Sequence, residues 1–364
     1  KLKKSLGQAW VEERLCIELR RSGEHILNTI RDDAKAFVLA VGEFDKELEK
    51  LNQIASSLLS TNSTKGILLT DIGLANARKV PFDTHRLQLF KTLANYLNRC
   101  DLVPVKYQYN KLGWMNLAFF ESYFSNYIEG TEFEIGEAER IVFQQRNIEN
   151  RHADSHDVLA VYQQVSDYQQ MSHTPQTADE LIECLKERHF SMMLERPDKR
   201  PGHFKQKANQ AGSSFFVSPD EVEGTLAQAF PIYQSLTEGL ARAIFMQFLI
   251  AECHPFDDGN GRLSRVMMNA ELHGSGQYKV IVPTVHRDSY LNGLRNATRN
   301  GQFRTLVKVL WQLQCYTASI DWADYGQARD SLEQHCADKL PDEGIAVFND
   351  QLRQFKFALP VQVD

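Results

Sequence analysis

The sequence predicts an all-α fold carrying one small β-hairpin. Three observations support this. Apolar residues recur at three- and four-residue spacing over most of the chain, the period of a half-buried helix. Glycine and proline, which break such runs, number only 20 and 11 among 364 residues. Strand-like alternation is confined to Gly202–Pro219, where Phe204, Phe215, Phe216 and Val217 lie among Gly, Ser and Asn. A chain that is 43% apolar and 24% charged has a globular composition, which excludes a disordered, collagen-like or disulfide-scaffold protein. At roughly 150 residues per domain, the length fits two domains, or one core with helical extensions.

Taken in order, Glu12–Leu19 and Ile26–Leu51 read as helices, the second with Ile26, Ile30, Phe37, Val41, Phe44, Leu48 and Leu51 in register. The polar stretch from Ser56 to Gly66 reads as a loop. Another helix starts after Pro81, capped by Asp83 or Thr84, and runs through Leu87, Phe90, Leu93 and Leu97. The pattern from about 110 to 315 is helical apart from the hairpin. Near the end, Tyr325–Leu340 reads as a helix, followed by Pro341, a short helix and an extended tail. The four tryptophans and the Phe-rich helices read as core. This organisation divides the chain into a helical N-terminal extension (1–105), a core (106–315) and a helical C-terminal extension (316–364).

Net charge is −6, which argues against bulk attraction to nucleic acid or an anionic membrane. The best apolar run, Ala243–Ala251, is too short to span a bilayer and contains Gln247. There is no secretory pattern after Lys1-Leu2-Lys3-Lys4, and six scattered cysteines form no C-x-x-C pair. Free thiols in a reducing, cytoplasmic compartment are the expectation. His152 and His156, with Asp154 and Asp157, lack a third firm metal ligand and read as a solvated helix start.

The informative segment runs from His254 through Pro255, Phe256, Asp257, Asp258, Gly259, Asn260, Gly261, Arg262, Leu263 and Ser264 to Arg265. Leu263, Val266, Met267 and Ala270 place a buried helix immediately after it, so the segment is a loop feeding a helix N-terminus. Gly259-Asn260-Gly261 lets backbone amides converge on an anion, and the helix dipole favours negative charge there. Arg262 and Arg265 lie three apart on one helix face and offer forked donors for phosphate. Asp258 is a single hard carboxylate of the kind Mg²⁺ takes when water and phosphate fill the rest of its shell. His254 has the chemistry of a general base. The ensemble describes phosphoryl chemistry with an external nucleophile. No Walker motif and no G-x-S-x-G turn is present.

This segment resembles the H-P-F-x-(D/E)-G-N-G-R-x-x-R signature of the Fic (filamentation induced by cyclic AMP) family at every specified position. Val280-Ile281-Val282-Pro283, Arg287, Tyr290 and Leu294 also fit the family's pattern. The resemblance implies an all-α Fic-type core with a β-hairpin flap, and transfer of AMP from ATP to a Ser, Thr or Tyr hydroxyl of a target protein. It implies His254 as base and Asp258 holding Mg²⁺. Gly259, Asn260 and Gly261 would cradle the phosphates, Arg262 and Arg265 would sit on the β and γ groups, Tyr290 and Leu291 would line the base pocket, and Phe256 would anchor the loop. Related Doc kinases carry Lys where Gly261 stands; Gly favours attack at the α-phosphate. Ser213, Ser214, Phe215 and Phe216 match the flap that holds a target segment by strand addition, although Lys205 replaces a frequent Arg.

Residues Ser125-Asn126-Tyr127-Ile128-Glu129-Gly130 match the family's (S/T)-x-x-x-E-(G/N) inhibitory motif. Ser125 and Glu129 share a helix face, and Gly130 suits the position after the helix end. The resemblance implies an inhibitory helix over about 115–130, with Glu129 paired to Arg265. Self-modification and a homodimer are compatible with it. Two other readings stay open: removal of AMP, with Glu129 orienting water, and a non-catalytic adaptor with a vestigial nucleotide site. Another nucleotide group, such as UMP, is compatible with the same loop.

Overall fold

The computed structural model describes residues 7–60, 66–212 and 214–357. Contacts divide the chain into two units: Lys1–Thr84 with Asp220–Thr225, and His85–Pro219 with Leu226–Asp364. Among the described residues no helix is long and apolar enough to cross a membrane, and all six cysteines are free thiols.

The first unit holds α1 (Gln8–Ser22), α2 (His25–Val41), α3 (Asp45–Leu58) and α4 (Asp71–Ala77). The single helix expected over 26–51 is two helices. Gly42 takes a left-handed φ of 73° and its N–H caps Val38, and Phe44 is also left-handed at 78°. Periodicity persists across this break because both helices bury faces of the same unit. α3 continues into the expected loop, with Ser56 and Ser57 buried; residues 61–65 of that loop lie outside the described residues. Glu12 organises the unit: fully buried, it accepts from the Leu69 and Thr70 amides and the Thr70 hydroxyl at 2.9 Å. Trp10, read as core, is 45% exposed and rests beside Arg14.

The second unit contains α5 (Thr84–Leu97), α6 (Lys111–Ile128), α7 (Ile135–Gln144), α8 (His152–Ser166), α9 (Tyr168–Ser172) and α10 (Ala178–Met192). After β1 (Gln210–Ala211) and β2 (Ser214–Phe215) come α11 (Val222–Gln234), α12 (Leu240–Cys253), α13 (Asn260–Gly274), α14 (Arg287–Asn300), α15 (Arg304–Ser319), α16 (Tyr325–Gln334) and α17 (Pro341–Leu352). This is the predicted all-α architecture with, among the described residues, one antiparallel hairpin, in register Gln210↔Phe215 and Ala211↔Ser214. α6 is apolar nearly all round, as a fully enclosed helix must be, burying Trp114, Phe119, Phe120, Tyr123 and Phe124. α12 packs on α13 and α6 on α8.

One buried polar cluster ties these elements. Lys279 Nζ meets Glu121 Oε2 at 2.7 Å and donates to the Val165 carbonyl at 2.8 Å. It also lies 3.8 Å from the Trp114 ring centroid. Asn269 donates to Glu121 at 2.8 Å and exchanges both bonds with the Val280 backbone.

Burial makes the fold acid-sensitive. His189, His273 and His286 are buried, and desolvation pushes each ring's pKa down to about 4. A depressed histidine pKa means the unfolded chain takes up protons that the folded one refuses, so stability is lost as pH falls from about 6.5 toward 4. At pH 5 this amounts to roughly 2 kcal/mol per ring. Glu271, pushed up to about 7 by burial, works the other way as its carboxylate protonates, and offsets about one of the three. Thermal denaturation should therefore show Tm falling steeply between pH 6.5 and 5. A flat profile in that window would refute the account.

Candidate active site

α12 ends at Cys253, and His254 closes it in the left-handed region at φ 45°. The His254 ring stacks on Phe216 at 3.8 Å and 8°, which fixes the ring plane. His254 Nδ1 faces the Ala251 carbonyl at 3.4 Å; a carbonyl only accepts, so this contact favours the tautomer with Nε2 unprotonated. Burial lowers the His254 pKa to about 4, outweighing the Ala251 carbonyl, which raises it; the Lys205 charge lowers it further. The ring is neutral at pH 7, the state a proton acceptor needs.

The loop between α12 and α13 is held by its own side chains. Phe256 is fully buried, stacked on His189 at 3.8 Å. Asn260 accepts from the Phe256 amide and donates to the Phe256 carbonyl, both at 2.9 Å. Its side chain is thus a loop staple. Gly259 starts α13 at φ 74°, where a β-carbon would be strained and would meet Met193 Sδ at 2.9 Å. The first amides of α13 have no partner one turn back and form the positive end of the helix dipole. Asp258 is exposed, with Oδ1 accepting from Gly259 N at 2.7 Å. No group of three or more metal-ligating side chains exists among the described residues. An exposed lone carboxylate beside the unpartnered amides that begin α13 nevertheless fits Mg²⁺ that keeps water and phosphate in its shell.

α6 delivers Ser125 and Glu129 to the same place. Arg265 donates to Ser125 Oγ at 2.9 Å, to the Ser125 carbonyl at 2.8 Å and to Glu129 Oε1 at 2.7 Å. A β-carbon on Gly261 would lie 2.1 Å from Glu129 Oε1. The carboxylate therefore rests directly on the turn that begins α13. A cavity of about 270 Å³ opens here, lined among others by Glu129, Phe216, His254, Gly261, Arg265 and Tyr290. Leu291 also lines it. Tyr290 is buried, and its hydroxyl accepts from Gln247 at 2.7 Å.

The placements of Arg262 and Asp157 differ from the sequence reading. Arg262 and Arg265 do not share a destination. Arg262 turns inward to Asp157 at 2.6 Å and is 3% exposed. The reason is Asp157 itself: read as part of a solvated helix start, it is fully buried and needs cations, here Arg262 and Arg196. Ser213 lies outside the described residues. Its neighbour Ser214 lines the cavity and accepts from Arg299 at 3.2 Å. Phe215 is 68% exposed, and the Phe215 carbonyl accepts from Arg86 at 2.5 Å.

Other site residues carried no sequence signal or a faint one. His189 accepts at Nδ1 from Gly202 N and donates from Nε2 to the Asp258 carbonyl, both at 3.0 Å, tying the segment before the hairpin to the loop. Nothing in its helical context marks it. Lys205, buried and with its pKa pushed down to about 8 by burial, donates to Asn209 and to the Cys253 carbonyl. Gln247 was detectable as the one polar residue in the apolar run.

With this geometry in view, the resemblance to known proteins can be stated. Residues 154–272 match the family model described as Fic/DOC family. Over those residues the chain is similar to the Fic/DOC family. The protein adenylyltransferase Fic of Drosophila melanogaster is 25% identical over 215 residues, covering 57% of this chain and 43% of that protein. The Drosophila willistoni relative of the same name is also 25% identical over 215 residues, with 42% of its length covered. The chain thus spans less than half the length of these curated relatives. In fold, a Fic-domain-containing signalling protein from Bacteroides thetaiotaomicron VPI-5482 aligns with a TM-score of 0.50 at 19% identity, over 66% of this chain and 97% of that one. His189, Asp157 and the His254–Arg265 loop fall inside the family match; Ser125 and Glu129 precede it, and Tyr290 and Leu291 follow it.

Proposed function

We propose that this Fic-like region, within the core spanning 106–315, is an autoinhibited protein adenylyltransferase that moves AMP from ATP to a hydroxyl of a target protein. The observation that carries the reading is the convergence of His254, the α13 turn, Arg265 and Glu129 on one cavity. His254 Nε2 takes the proton from the target hydroxyl. The oxygen attacks the α-phosphorus, and pyrophosphate leaves. The amides of Asn260 and Gly261, with Arg265, hold phosphate oxygens, the Gly259 amide being engaged by Asp258 Oδ1; Arg262 contributes its amide while its guanidinium supports the loop through Asp157. Asp258 would hold Mg²⁺, which supplies charge neutralisation to the phosphates when bound. Tyr290 and Leu291 border the nucleoside. The hairpin carrying Ser214, Phe215 and Phe216 positions the target strand beside His254.

Glu129 supplies the brake by holding Arg265 and covering Gly261. Because that carboxylate shares the cavity with His254, removal of AMP with Glu129 orienting water is the second reading; release of label from a pre-modified protein, with and without Glu129, separates the two. The test of the main reading uses α-labelled ATP and Mg²⁺. His254→Ala should reduce incorporation by about 10²–10⁴-fold, the loss typical of a removed general base. Undiminished labelling by that variant would overturn the assignment.

A further inference from the structure

His254 closes α12 in a backbone conformation that a residue with a side chain rarely takes. Such a residue stays there only where its surroundings hold it. The carbonyls of both its chain neighbours, Cys253 and Pro255, are held by one residue. Lys205, in the segment leading to β1, donates from Nζ to the Cys253 carbonyl at 3.2 Å and from its backbone N–H to the Pro255 carbonyl at 2.9 Å. The Cys253 carbonyl is the last of α12, where a cation meets the negative end of the helix dipole.

The same side chain reaches the hairpin. Lys205 Nζ donates to Asn209 Oδ1 at 2.7 Å, and Asn209 Nδ2 donates to the Phe256 carbonyl at 3.0 Å. The Asn209 carbonyl in turn accepts from the Phe216 N–H at 3.3 Å, and Phe216 carries the ring stacked on His254. Lys205 thus joins the backbone that carries the imidazole to the turn that carries its stacking partner. Stability alone is a poor account of this arrangement. Lys205 is 3% exposed, and no carboxylate pairs with it among the described residues. Asp257, the carboxylate that feels its charge, is engaged by Arg200 through both oxygens. A buried ammonium with only neutral acceptors is costly to the fold.

We propose that Lys205 is a positioning residue for the transfer reaction, aiming the His254 imidazole by clamping its backbone to the hairpin that carries Phe216. The proposal rests on the reading of His254 as general base; Lys205 itself does not line the cavity.

The test uses Lys205→Met, which keeps the length of the side chain and drops the ammonium, assayed with α-labelled ATP. The kcat should fall about ten- to a hundredfold, the loss a misaimed group produces, while the KM for ATP changes less than twofold. Lys205→Arg, which keeps the cation, should recover most of the kcat. Phe216→Leu should lower kcat in the same manner, and the double variant should be no worse than the poorer single one, because both act through one imidazole. The ring-nitrogen NMR shifts of His254, assigned by their loss in His254→Ala, should move in Lys205→Met, while those of His286, packed on Phe348 instead, stay. An unchanged Tm checks the fold. If Lys205→Met does not fold, Asn209→Ala breaks the same link at a half-buried position and carries the same expectations. An unchanged kcat, or losses that add fully in the double variant, would overturn the proposal. Undiminished labelling by His254→Ala would count against the base assignment instead, and the ring-nitrogen shifts would then decide alone whether Lys205 aims the imidazole.

Discussion

Glu129→Gly is expected to raise self-labelling from α-labelled ATP by about ten- to a hundredfold. A charge-assisted hydrogen bond contributes about 1.5–3 kcal/mol, and each 1.4 kcal/mol is a factor of ten. On the proposed reading the internal carboxylate competes with an arriving phosphate for Arg265 and for the amides around Gly261, from within the same chain at high effective concentration. Its removal does not set Arg265 adrift, because both donors to Ser125 remain. Glu129→Gln, which keeps the shape and drops the charge, should give a smaller rise. Equal labelling of wild type and Glu129→Gly would refute the brake, and combining the substitution with His254→Ala should return labelling to background.

The largest stability effect should come from Lys279→Met. It leaves Glu121 buried without its cation and the Val165 carbonyl without its donor. Breaking one side of a buried pair costs about 3–5 kcal/mol, which lowers Tm by on the order of 10 °C in a unit of this size. Burial raises the Glu121 pKa and its Lys279 partner pulls it back, so in the single variant the carboxyl takes up a proton, and the loss shrinks at acidic pH. Glu121→Leu together with Lys279→Met should recover most of the Tm, since a matched apolar pair needs no counter-charge. A double variant as unstable as the single one would show that the cluster stabilises through packing rather than charge.

The helices were legible wherever a buried face imposed its period, and the start of α13 was legible because Gly259, Asn260 and Gly261 leave few other conformations. What failed had identifiable physical causes. The break at Gly42 hides within an unbroken apolar rhythm. The inward turn of Arg262 depends on Asp157, which is more than a hundred residues away in sequence and looked solvated beside two histidines. His189 acts through a ring clamped between two backbone groups, and composition carries no trace of that. Pairings across helices are set by the fold as a whole, so a local pattern cannot announce them.

The staples around the loop have a consequence for recognition. Asn260 on the Phe256 backbone, Arg200 on Asp257 at 2.8 Å, and Arg262 on Asp157 fix the turn before any guest arrives. Ordering a flexible segment subtracts from the free energy of association, and here that subtraction is already made at the folding step. Complex formation should leave these residues' backbone mobility almost unchanged, and the affinity gained on unlocking the site reflects vacated space rather than newly acquired rigidity.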